Sequence, residues 1–270
     1  MTAYLRATVQ LYRNTCLATI QSFKRGWIVA IAMLAFALGM LIAGALVAPL
    51  GFLGGLLLGA LNALVIGAIL GLVEQTVIGA RPIRWNDIPL SIGQYFWEVI
   101  SVGFTIGFPL MLLQMALQAN PYRSVLIMSV FLLVFLLLNP VPEIIYQRRH
   151  GSVMEILRES YSFVLDNWIE WFLPFGVALA PFGISVFFQL SSQSGQMVGL
   201  GFWQLLKLPF LLLSHWLELL GLPPTISFLM VLFLSPILAV LILFFRGHLF
   251  AALYASSRRQ RLFHARADLH

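Results

Sequence analysis

From residue 26 to residue 73 the chain runs about 48 residues without a charged side chain, which at 1.5 Å of rise per residue is enough for two membrane crossings. The pattern predicts one helix that crosses and a second that returns. The turn falls at Ala48-Pro49-Leu50-Gly51, where Pro49 lacks the donor a continuing helix needs and Gly51 tolerates a tight bend. Similar apolar runs further on predict six spans in all, at residues 27–47, 52–73, 94–117, 124–138, 168–190 and 225–245. The fourth is the shortest and is expected to continue through Asn139-Pro140-Val141-Pro142, with the prolines kinking its last turn. Residues 202–220 are also apolar but carry Lys207, His215 and Glu218. Ionisable groups at that density are costly in hydrocarbon, so a re-entrant or interfacial segment is expected, with a seventh span as the competing topology.

Outside the spans the apolar period changes to that of a surface helix. Leu5, Val9, Tyr12, Cys16, Ile20 and Phe23 recur at three-or-four spacing with Arg6, Arg13 and Lys24 off the stripe, and lead into Trp27; this predicts a helix in the headgroup plane. Val153, Ile156, Leu157, Ser160 and Val164 form a like stripe leading into Trp168. A third, weaker case has Asn86 or Asp87 capping a helix with Pro89 in its first turn, running through Tyr95 and Phe96 to Trp97. The fold class expected is therefore all-α: a polytopic transmembrane helical bundle of about six spans with cytoplasmic interfacial amphipathic helices. Its parts are an N-terminal interfacial helix (1–26), the bundle (27–246, with interfacial segments 79–93 and 147–166 and an outer segment 191–223) and a basic cytoplasmic tail (247–270).

Composition agrees: 60% hydrophobic and 10% charged residues with 22 Phe in a chain of 270 residues are more apolar than a soluble core of this size can bury. The net charge of +6 does not indicate nucleic acid here, because placement matters more than the sum. On six spans, all of the 16 Lys and Arg except Arg123 and Lys207 fall on one side, which puts both termini in the cytoplasm by the positive-inside rule. The single cysteine, Cys16, excludes an intrachain disulfide. No cleaved signal peptide is expected, since the first apolar run is longer than a signal h-region despite Ala43-Gly44-Ala45.

Three groups of residues are candidates for function. Gly51, Gly55, Gly59, Ala63, Gly67 and Gly71 follow at regular four-residue spacing, the pattern of a groove into which another backbone packs closely; internal packing, a partner subunit and a bound lipid all fit it. Asn62, beside this groove, is expected to bond to a neighbouring helix. Glu74, Glu98, Glu143 and Glu170 lie at helix ends near one level with Lys24, Arg25 and Arg246, either as pairs at the interface or as a vestibule for a cation or amine. Arg6, Arg13, Lys24, Arg25, Arg258, Arg259 and Arg261 are candidate contacts for anionic lipid. His150, His215, His248, His264 and His270 lack metal-ligand spacing, and no phosphate loop or nucleophile elbow occurs. No catalytic residue, metal or cofactor is therefore assigned.

The amphipathic lead through Ser22-Phe23-Lys24-Arg25-Gly26-Trp27, the string Asn139-Pro140-Val141-Pro142-Glu143-Ile144-Ile145-Tyr146 and the stretch Phe245-Arg246-Gly247-His248-Leu249-Phe250-Ala251-Ala252-Leu253-Tyr254 resemble the six-span YciC-type proteins and the membrane domain attached to some glycerophosphodiester phosphodiesterases. The resemblance implies a bacterial inner-membrane protein with cytoplasmic amphipathic helices, and it carries over no catalytic residue. The function expected is a non-enzymatic membrane scaffold or accessory subunit that packs against other membrane proteins and anionic lipid. The alternative is a permease for a small cation or amphiphile.

Overall fold

The computed structural model describes residues 2–148, 151–192 and 220–255, with residues 213, 217 and 218. Helix α1 (Thr2–Gly26) leads into α2 (Ile28–Val47), which a single 3-10 turn (Ala48–Leu50) joins to α3 (Gly51–Val77). The short α4 (Asp87–Ser91) precedes α5 (Phe96–Ala116), α6 (Arg123–Leu137), α7 (Val141–Arg148), α8 (Val153–Ser192) and α9 (Pro224–Ala255). Among the described residues there is no β-strand.

The long uncharged run folds back on itself. A methyl group placed on Gly26 would meet the Thr76 side chain at 2.9 Å, and the Ile83 amide donates to the Arg25 carbonyl at 3.1 Å, so the start of α2 lies beside the end of α3. The reversal occurs where expected, at the 3-10 turn, with Gly51 at φ +56°. Gly54 then packs against the Val47 carbonyl, which closes the hairpin. A side chain at Gly51 meets a backbone conformation that L-residues rarely adopt. Gly51→Ala should therefore lower thermal stability in detergent by about 1–3 kcal/mol, whereas Gly55→Ala, with open space around it, should leave it unchanged.

Four stretches are long and apolar enough to cross a membrane: Ile28–Val77, which is the hairpin, Phe96–Ala116, Val125–Arg148 and Pro224–Ala255. The protein is a helical membrane protein. The second half of α8, expected as the fifth span, lies partly beyond the side chains described, and so does most of 202–220 with Lys207 and His215.

Burial divides the molecule into two levels. At one end Val29, Leu72, Val73, Ile144, Trp171, Phe244 and Leu249 are fully enclosed in one cluster. Away from it the helices turn apolar side chains outward: Phe52 is 81% exposed, Phe104 68% and Phe228 67%. Helix α6 buries none of its described side chains, and α5 buries only Val102. Exposed aromatic and aliphatic side chains on that scale are tolerated in lipid and not in water.

Several elements depart from the sequence expectation. The segment entering Trp97 is two helices, because Ile92 turns extended and Gly93 takes φ +87° before α5 begins. Neither Asn86 nor Asp87 caps it in the expected way: the Asp87 carboxylate accepts from the Arg84 amide at 2.7 Å and pairs with Arg81 at 3.1 Å. Asn139-Pro140 breaks the fourth span into α6 and α7 and does not merely kink it. The boundary placed between residues 246 and 247 falls inside α9, which stays packed through Leu249, Phe250 and Leu253.

The two surface stripes behave differently. Ile156, Ser160 and Val164 of α8 are buried, and Phe163 lies 4.6 Å from Phe250, so this stripe faces the core. On α1, Val9 is 64% exposed, Ile20 51%, and Cys16 is exposed. The other half of that stripe, Tyr12 and Phe23, packs against the core with Leu11, and shares the face of α1 turned to the protein with Thr8, Thr15, Thr19 and Ser22. Burying hydroxyls there costs little because Thr15 and Thr19 donate to the carbonyls of Leu11 and Thr15, each at 2.8 Å.

Candidate functional site

The packed end of the bundle is held together by polar groups, and the break between α6 and α7 builds its centre. Pro140 and Pro142 cannot donate to the preceding turn, and the backbone opens at Asn139. Its carbonyl accepts from Arg246 Nη2 at 2.7 Å, and its side-chain Oδ1 accepts from the Trp171 indole at 3.0 Å. One turn on, Glu143 receives Arg246 through two bonds, Nε to Oε1 at 2.7 Å and Nη2 to Oε2 at 2.8 Å. The guanidinium also lies 5.2 Å from the Trp171 ring centroid and 5.9 Å from that of Phe175. The Glu143 side chain is 1% exposed and that of Arg246 16%. Such a paired fork is among the stronger charge-assisted contacts, and it ties α7, α8 and α9 at one point.

Around this clamp the other acids are held separately. Glu74 Oε2 at the end of α3 accepts from Tyr95 Oη at 2.7 Å and Gln94 Nε2 at 2.8 Å. Glu170 is buried on α8, and its backbone carbonyl accepts from Tyr12 Oη at 2.9 Å. Glu98 is half-buried in the first turn of α5. Of the expected vestibule, Glu143 and Arg246 meet in an ion pair, while Glu74 and Glu170 lie in contacts of their own. Among the described residues no three His, Cys, Asp or Glu side chains group as metal ligands.

Further polar contacts stitch the same end. Gln147 donates to the Gly247 carbonyl at 2.9 Å, and a methyl group at Gly247 would meet the Tyr146 hydroxyl at 2.5 Å, so the side-chain ends of α7 rest directly on the α9 backbone. Arg148 pairs with Glu159 at 3.1 Å and covers the Tyr254 ring at 4.3 Å. Helix α1 passes from α3, where Gly26 meets Thr76, over α9, where Ser22 Oγ and His248 Nε2 share a hydrogen bond of 2.8 Å, to α8 at Tyr12.

The small-residue stripe on α3 divides along its length. Gly67 faces the Tyr95 carbonyl carbon and Phe96 amide at 3.1 and 3.2 Å from an added methyl, and Gly71 faces the Gln94 side chain. Ala63 is buried as well. Gly55 and Gly59 have nothing within 4 Å, and nor has Gly51. Asn62, expected to bond to a neighbouring helix, is exposed.

Of the basic candidates, Arg6, Arg13, Lys24 and Arg25 are exposed on α1, and Arg25 donates to the Ala80 carbonyl at 3.2 Å. Arg258, Arg259 and Arg261 lie outside the described residues. Sequence reasoning missed Asn139, Tyr146, Trp171 and the Thr-Ser face of α1. The last was detectable, since Thr8, Thr15, Thr19, Ser22 and Gly26 repeat at three, four or seven residues, as a close-packed seam requires.

These features define a membrane-embedded helical bundle with a packed polar end. Comparison of the chain with protein-family models, with curated proteins and with solved structures returned no match.

Proposed function

We propose that this protein is a non-enzymatic membrane scaffold or accessory subunit. It crosses the membrane six times with both termini in the cytoplasm, and its membrane is the cytoplasmic membrane of a bacterium. The charge bias along the sequence and the resemblance to six-span inner-membrane proteins support that placement. The observation that carries the functional reading is the open half of the α3 groove: among the described residues Gly55 and Gly59 meet no atom within 4 Å, while Gly67 and Gly71 of the same stripe are filled. A small-residue face costs helix propensity and returns it when a second backbone packs close, which lipid tails do not do. A transmembrane helix of another subunit fits the open half.

The permease reading needs carboxylates available to a cation, and Glu143 is closed by Arg246, so the scaffold reading has the stronger support. Extraction from native membranes in a gentle detergent should bring down a second membrane protein in a fixed ratio. Repeated recovery of a lone monomer would remove the scaffold reading, and acid-dependent cation flux in liposomes would favour the permease.

A further inference from the structure

Helix α1 carries three sectors, not two. At about 100° per residue, Thr8, Thr15, Thr19 and Ser22 form the side that packs on the protein. Next round the helix come Val9, Cys16, Ile20 and, in continuation, Trp27, all exposed. Arg13, Arg6 and Lys24 border that strip on its far side, also exposed. A surface helix on a soluble protein spends its apolar side on the core; here the side against the protein mixes these hydroxyls with Leu11, Tyr12 and Phe23, and a second apolar strip is left for another medium.

We propose that this strip and its basic border dock on an anionic phospholipid surface. Two observations select that occupant. The strip ends at Trp27, directly before the apolar hairpin Ile28–Val77, so it is continuous with the part of the chain that enters hydrocarbon. Trp27 is met edge-on by Trp85 at 6.5 Å, and Trp85 is itself 55% exposed; paired exposed indoles beside basic side chains match the headgroup level of a bilayer. Positive charge along one edge complements phosphate. The inference rests on the membrane location but not on the existence of a protein partner.

The test uses the one cysteine of the chain. A solvent-sensitive fluorophore is attached to Cys16 of the full-length protein, which is placed in bilayers of phosphatidylcholine with or without phosphatidylglycerol. With phosphatidylglycerol the emission should shift to the blue and be quenched by spin-labelled lipid. The Arg6→Gln, Arg13→Gln, Lys24→Gln variant should retain phosphatidylglycerol about tenfold less than wild type on purification. Since the wild-type comparison needs no mutation, a folding defect in the variant does not decide the outcome. A label equally open to aqueous iodide in both bilayers would overturn the proposal. So would a label shielded to the same degree with and without phosphatidylglycerol, which would indicate a neutral or protein contact; either failure would leave copurification of a partner subunit unaffected.

Discussion

Arg246→Ala should be the most destabilising single substitution at the packed end, lowering stability by about 3–5 kcal/mol, because it leaves the Glu143 carboxylate buried without its counter-charge. The Glu143 side chain is 1% exposed, and the same guanidinium serves the Asn139 carbonyl and the Trp171 ring. Arg246→Lys should recover only part of the loss, since an ammonium cannot span both carboxylate oxygens as the fork does. The double variant Glu143→Gln, Arg246→Met should be more stable than Arg246→Ala, because no charge is then left unpaired. Thermal unfolding in one detergent, followed by circular dichroism, ranks the three. Equal stability of Arg246→Ala and wild type would mean that water reaches Glu143 and the pair is not a clamp.

Gly67→Leu is the second large effect, with an expected loss of about 2–3 kcal/mol from overpacking. Its neighbours are the backbone atoms of Tyr95 and Phe96, which cannot move aside as a flexible side chain can. The shift would also draw Tyr95 away from Glu74, which it meets at 2.7 Å. Gly59→Leu, on the open half of the same stripe, should leave the purified chain unchanged. If both variants unfold at the wild-type temperature, the contact of α3 with the Tyr95 segment contributes little.

The apolar runs and the turn at Pro49 and Gly51 were legible because lipid rewards a simple rule, unbroken hydrophobicity to membrane length. What periodicity did not reveal was which side of a helix meets protein. On α8 the stripe of Ile156 and Val164 faces the core, as it would in a soluble fold. On α1 the same kind of stripe is split: Tyr12 and Phe23 pack on the core while Val9, Cys16 and Ile20 are exposed, and Thr15 and Thr19, which satisfy their hydroxyls within the helix, are buried beside them. A membrane supplies a second apolar medium, so an amphipathic pattern no longer identifies the buried side.

The candidate site was legible in part for a similar reason. Acids and bases at helix ends were visible as residues, but the pairing of Glu143 with Arg246, 103 positions apart, depends on how α7 and α9 cross. The Asn139-Pro140 break was readable as a kink. Its consequence, a backbone carbonyl delivered to Arg246, required the neighbouring helix. The regular stripe on α3 gave no hint that, among the described residues, Gly67 and Gly71 are filled while Gly55 and Gly59 stay open, since spacing is the same along its length.

The scaffold account is tested most directly by a photo-crosslinking residue at position 59, activated in the membrane of the native host. The open groove predicts a discrete adduct of constant mass with a second membrane protein, lost when the same residue is placed at position 52, where Phe52 projects outward with 81% of its surface exposed. Adducts with lipid alone at position 59, indistinguishable from those at position 52, would contradict it.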